Sequence, residues 1–215
     1  MVNSPNTIKL GDQAFPVVSC FIWGYIGRKD NAWYCRWGFD AEGESQARRC
    51  DDEQGSYDYE LKPCLSANTV PISVSRWRDL DGVTFQTGEH GEVDFYRGHD
   101  AFYTVQTMSP HETCSNNRIS ISHVRDTKFR LRWSGEAYLH GVEADKFHLD
   151  AIAEFSGVTF TSEVESESDV NDDEIGRIFR EVFPHDDFVQ HPATIRKISE
   201  DGLRYMDFTA RFTPR

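Results

Sequence analysis

The chain has 215 residues, 38% of them hydrophobic and 13% aromatic, with a formal net charge of -13 at pH 7. The length suits one domain with a real core, the aromatic content argues against a disordered chain, and the negative field disfavours nucleic acid as a partner. The longest apolar cluster, 17–26, is broken by Ser19 and Gly24 and is too short to span a bilayer, and the first six residues lack the basic and apolar regions of a signal peptide. These features predict one domain over 1–215 in a soluble cytoplasmic protein, secreted only if the N-terminus is processed, with no membrane partner.

In chain order, 7–10 reads as a short arm ending at Gly11 and Asp12. Residues 15–25 are apolar on both sides: Val17, Ser19, Phe21 and Trp23 on one, Val18, Cys20 and Ile22 on the other. That pattern predicts a central strand covered on both faces. The turn cluster 27–31 leads into 32–40, where Trp33, Cys35, Trp37 and Phe39 share a side, so the two runs form a hairpin. Residues 41–57 are polar without a period and read as a surface loop. Strands are expected at 57–65, 70–77, 83–86, 93–96 and 102–107, with a second polar loop at 109–117.

Ile119 and Ile121 open a strand that leads into 127–161, the most regular stretch. Phe129, Leu131 and Trp133 alternate with Lys128, Arg130 and Arg132. Phe147, Leu149, Ala151, Ala153 and Phe155 then alternate with His148, Asp150, Ile152 and Glu154. A period of two means strands with one dry face and one mostly polar face. The run 163–174 carries seven acids and no base. It leads into the one clear helix signal, an i, i+3, i+4, i+7, i+8 stripe of Ile175, Ile178, Phe179, Val182 and Phe183 ended by Pro184. The helix is expected near 173–183, capped by Asp172 or Asp173. A hairpin of 194–198 and 203–212 closes the chain. The fold predicted is mainly β, with α+β as the alternative: an antiparallel sandwich or strongly bent sheet of about ten to twelve strands with one helix packed in the C-terminal region.

Five cysteines, at 20, 35, 50, 64 and 114, form no C-x-x-C pair, so no structural zinc site is expected. Cys20 and Cys35 lie in strand-like runs, where a thiol acts as a small hydrophobe. Cys50 and Cys64 are the best disulfide pair if the protein is secreted.

The motifs of P-loop, Rossmann and G-x-S-x-G enzymes are absent, and no cofactor is implied. Two His-carboxylate groups are candidate chemistry. His99 and Asp100 with His111 and Glu112 could supply a carboxylate-oriented general base. His185, Asp186 and Asp187 with His191 could hold a divalent metal. Trp77 falls out of phase with Val70, Ile72 and Val74, which points it away from their core as a sugar-stacking ring. Lys128, Arg130 and Arg132 form a positive ridge that either pairs with acids on a neighbouring strand or receives an anionic group. The reading that follows is a non-catalytic binding protein whose partner is a basic protein or an oligosaccharide. A hydrolytic or metal-dependent enzyme using the loop histidines, and a carrier with an aromatic-lined cavity, are the alternatives.

Overall fold

In a computed structural model, which describes residues 6–29, 31–52, 55–70, 72–87, 102–107, 112–137, 145–164, 171–184, 188–200 and 203–215, the alternating runs are strands. They are β1 (Thr7–Leu10), β2 (Gln13–Lys29), β3 (Ala32–Gly43), β4 (Gln46–Asp52), β5 (Gly55–Leu61), β6 (Cys64–Val70), β7 (Thr84–Gln86), β8 (Phe102–Gln106), β9 (Glu112–Thr113), β10 (Ser115–Arg125), β11 (Lys128–Glu136), β12 (Lys146–Val164), β13 (Phe188–Gln190), β14 (Thr194–Glu200) and β15 (Leu203–Pro214). Among the described residues, thirteen of these strands join one sheet, in the order β7-β10-β11-β12-β1-β2-β3-β6-β8-β9, with β15 added to β12 and β13 and β14 added to β15. The pairing is antiparallel except where β12 runs parallel to β2. The fold is therefore mainly β, as the alternation predicts, and takes the form of one large sheet. Among the described residues the sheet does not close into a barrel.

Strand β12 changes the side it buries part-way along, and the cause is local. On β12 the buried residues are Phe147, Leu149, Ala151, Ala153 and Phe155, then Val158 and Phe160, so the dry side changes from odd to even positions. Gly157 stands at the change with φ +103, and its register with β2 shifts there. A Cβ on Gly157 would lie 2.2 Å from the carbonyl oxygen of Phe212. An extra residue in one strand swaps the facing of everything after it and bends the strand. Before the bulge β12 pairs with β11 and β1, and after it with β15.

Strand β2 departs from expectation in the same way. A register shift between Val17 and Ser19 lets Phe15 and then Cys20, Ile22 and Ile26 face the core. Its other side is not covered: Val18 is 68% exposed and Phe21 41%. The run is apolar on both sides because one side is core and the other carries surface aromatics.

Three further corrections concern where strands start and stop. The polar stretch 41–57 is not a loop, because it completes β3 and then forms the two-stranded ribbon β4–β5. The loop 109–117 is shorter than expected, with β9 and the start of β10 inside it. The strand expected over 70–77 stops at Val70, and Trp77–Leu80 forms a single-turn 3-10 helix. The strand expected at 93–96 lies outside the described residues. Cys64 carries a free thiol, as do Cys20, Cys35 and Cys114, so the Cys50–Cys64 bridge is not made.

Two elements cover the inner side. The 3-10 turn inserts Trp77, whose ring stacks on Phe155 at 5.3 Å and meets Phe129 edge-on at 5.9 Å. The helix α1 (Asp172–Val182) is capped by Asn171, not by either aspartate: its side-chain oxygen accepts from the backbone N–H groups of Asp173 and Glu174 at 3.1 and 3.2 Å. Asp172, Asp173 and Glu174 fill the first turn, where negative charge complements the helix dipole. The apolar stripe docks as its period predicts, with Phe179 stacked on Phe212 at 3.8 Å and Phe183 edge-on to Trp37 at 6.2 Å. Among the described residues, no helix is long and apolar enough to cross a membrane.

Candidate functional site

With the inner side packed by rings, the chemistry available to a ligand lies on the outer side of the sheet. Two regions of that side are built differently.

The first is an aromatic row. After the shift at Val17, the strand pleat places Phe21, Trp23 and Tyr25 outward at alternate positions of β2. On β3 they stand opposite Asp40, Gly38 and Arg36. Gly38 has no side chain, and the Trp23 indole lies on it: a Cβ there would sit 2.2 Å from Cζ2 of the ring. The indole N–H donates to Oδ2 of Asp40 at 2.6 Å. Oδ1 of Asp40 accepts from the Ser66 hydroxyl at 2.7 Å, and Ser66 in turn accepts from the Asn68 amide at 3.2 Å. The ring is thus held from below and at its edge. Among the described residues, no ring or cation stacks on Phe21, Trp23 or Tyr25.

The second region is a polar groove of about 450 Å³ over β7, β10, β11 and the start of β12. Register aligns its side chains in rows. Gln86, Arg118, Ser134 and His148 stand abreast on successive strands, with Lys9 of β1 next to His148. Thr84, Ser120, Arg132 and Asp150 form the next row. The predicted ridge is found here and is mostly neutralised by β12. Arg130 grips Asp150 with two parallel bonds, Nε to Oδ1 at 2.7 Å and Nη2 to Oδ2 at 2.6 Å. That fork holds the Asp150 carboxyl below the ordinary carboxylate range. Lys128 lies 4.0 Å from Glu154. Arg132 reaches Asp150 only at 3.5 Å and is 52% exposed. Partial desolvation of the His148 ring lowers its pKa from the ordinary imidazole value, and the cations Lys9 and Arg132 add to this against the pull of Asp150.

The other expected site residues are not brought together. Trp77 is 1% exposed, with Phe155 on its ring and the Arg78 guanidinium 4.3 Å above it, so it cannot stack on a ligand. The strand phase that pointed it outward ends at Val70. His99, Asp100 and His111 lie outside the described residues, and Glu112 is half-buried on β9. His185, Asp186 and Asp187 also lie outside them. His191 is exposed after β13 and shares a 2.8 Å hydrogen bond with the Thr213 hydroxyl. Among the described residues, no three His, Cys, Asp or Glu side chains converge to hold a metal.

Sequence reasoning passed over Trp23, Arg118 and His148. Alternation with Ile119 and Ile121 does put Arg118 on the polar side of its strand. The expected hairpin sets 15–25 beside 32–40, but no signal in the chain fixes the register that puts Trp23 opposite Gly38. No protein-family model matches this chain, and neither a curated protein nor a solved structure is similar to it.

Proposed function

We propose that this chain is a non-catalytic binding protein whose outer sheet face takes an oligosaccharide, with Trp23 as the central ring. The observation that carries the reading is the indole seated on Gly38 and tied to Asp40, with no aromatic or cationic group among the described residues stacked on it. A pyranose has an apolar C–H face that packs on such a ring and hydroxyls at its rim that need partners. Phe21 and Tyr25 extend the ring surface along the strand, and Asp40, Ser66 and Asn68 supply acceptors and donors beside it. Rigid aromatics lose little conformational freedom on binding, which favours a site already held in place.

The test is calorimetric titration of neutral β- and α-linked glucan, mannan and chitin oligomers. Binding of one of them should weaken at least tenfold in Trp23→Ala and change little with added salt. Failure of every oligomer to bind, or equal binding by the variant, overturns the reading. A basic protein partner has different support: the net charge of -13 and the acids Asp172, Asp173 and Glu174 that open α1. Its binding would fall steeply as ionic strength rises.

A further inference from the structure

The groove at the other end of the outer face has chemistry of its own, independent of the saccharide reading. In a chain of net charge -13, cations grouped on one sheet face are unusual. Arg118 makes no hydrogen bond or ion pair among the described residues, although it stands between Gln86 and Ser134 on neighbouring strands. Among the described residues, Arg132 has only the 3.5 Å contact with an Asp150 carboxylate that Arg130 already engages through both oxygens. The described acids beside the groove are thus held by residues outside it, Asp150 by Arg130 and Glu136 by the Asn116 amide. Adjacent strands lie about 4.8 Å apart, so Arg118 and His148 stand about 10 Å apart at the backbone on either side of Ser134, with Ser120 and Arg132 in the next row, and all five line the one groove.

We propose that this groove binds a small organic molecule through a phosphate or sulfate group. Donors on five side chains exceed the roughly four lone-pair sites of a carboxylate, whereas the three terminal oxygens of a phosphate or sulfate ester offer about six. Two guanidinium groups match its charge and geometry. The volume of about 450 Å³ exceeds what an inorganic ion fills and lies in the usual range for small-molecule sites, about 300–1,000 Å³. The room left over is for the organic body.

Titration with glucose 6-sulfate, glucose 6-phosphate, inorganic sulfate, gluconate and glucose separates the possibilities. The two sugar esters are expected to bind more tightly than inorganic sulfate and gluconate, and glucose least. Arg118→Gln/Arg132→Gln should raise the dissociation constant of glucose 6-sulfate at least tenfold, while circular dichroism and Tm stay near the parent's because both side chains are exposed. Should that variant fail to fold, Arg118→Lys/Arg132→Lys, which keeps the charge but not the fork, is expected to weaken binding severalfold. Sulfate ester binding no stronger than that of glucose, or binding unchanged in both variants, overturns the proposal. Trp23→Ala should leave ester binding intact, and the arginine variants should leave neutral oligosaccharide binding intact, so each site can fail without the other.

Discussion

Trp77 and Trp23 lie on opposite sides of the same sheet, and the neighbours of each ring decide its use. Trp77 has Phe155 stacked on it, Phe129 at its edge and Arg78 over it, which leaves no face for a ligand. Trp23 rests on a residue with no side chain and is tied by its N–H to one carboxylate. The first ring contributes packing. The second is positioned but not enclosed. A tryptophan becomes a binding surface when the residue beneath it is small and the polar atom at its edge is satisfied, and these conditions can be separated by mutation.

The largest expected effect is on the inner side. Trp77→Ala empties the space against Phe155 and Phe129 and should cost about 3–5 kcal/mol of stability by urea denaturation. A loss below about 1 kcal/mol would mean that the ring is not the packed element described. Next is Gly38→Ala, which places a methyl group where the Trp23 indole now lies. The ring must lift, so saccharide affinity should fall about tenfold with a stability cost of about 1–2 kcal/mol, and tryptophan fluorescence should shift. Unchanged affinity with a stable fold would show that the seat on Gly38 does not position the ring.

The smallest effect is electrostatic and belongs to the groove. His148 is held below its ordinary value, so the fold favours its neutral form. As pH falls through the ordinary imidazole range the unfolded chain takes up this proton first, and stability declines. Asp150 acts in the same direction at lower pH, because its depressed pKa contributes stability that disappears as the carboxylate is protonated. His148→Gln should therefore flatten the fall in Tm between about pH 7 and about pH 5 without altering the loss at more acidic pH. An unchanged slope in that window would remove His148 as its source.

Much of the architecture was legible residue by residue. The alternation of Phe129, Leu131 and Trp133 and of Phe147 through Phe155 marks the dry sides of β11 and β12, and all of these residues are buried. The stripe from Ile175 to Phe183 marks the docked face of α1. The cations Lys128, Arg130 and Arg132 were legible as an outward ridge, and all three meet the acids of β12. The errors fall where alternation is weak or the chain leaves the sheet. The β4–β5 ribbon is mostly polar because, among the described residues, its two strands pair with each other and not with the large sheet, so few of its positions, Tyr59 and Leu61 among them, reach the core. Trp77 was misplaced because a strand phase was carried past Val70, where the chain leaves the sheet.

A pleat of period two is local: each side chain is turned against the next by the backbone itself, so composition along a few residues suffices to assign the wet and dry sides of a strand. Register, bulges and strand order depend on contacts made between distant segments. Only the folded sheet could reverse the facing of β12 at Gly157, lay Trp23 over Gly38, and bring Arg118, Arg132 and His148 from three strands into one groove. A candidate site assembled from surface residues of several strands is written in that long-range register and not in any single stretch of the chain.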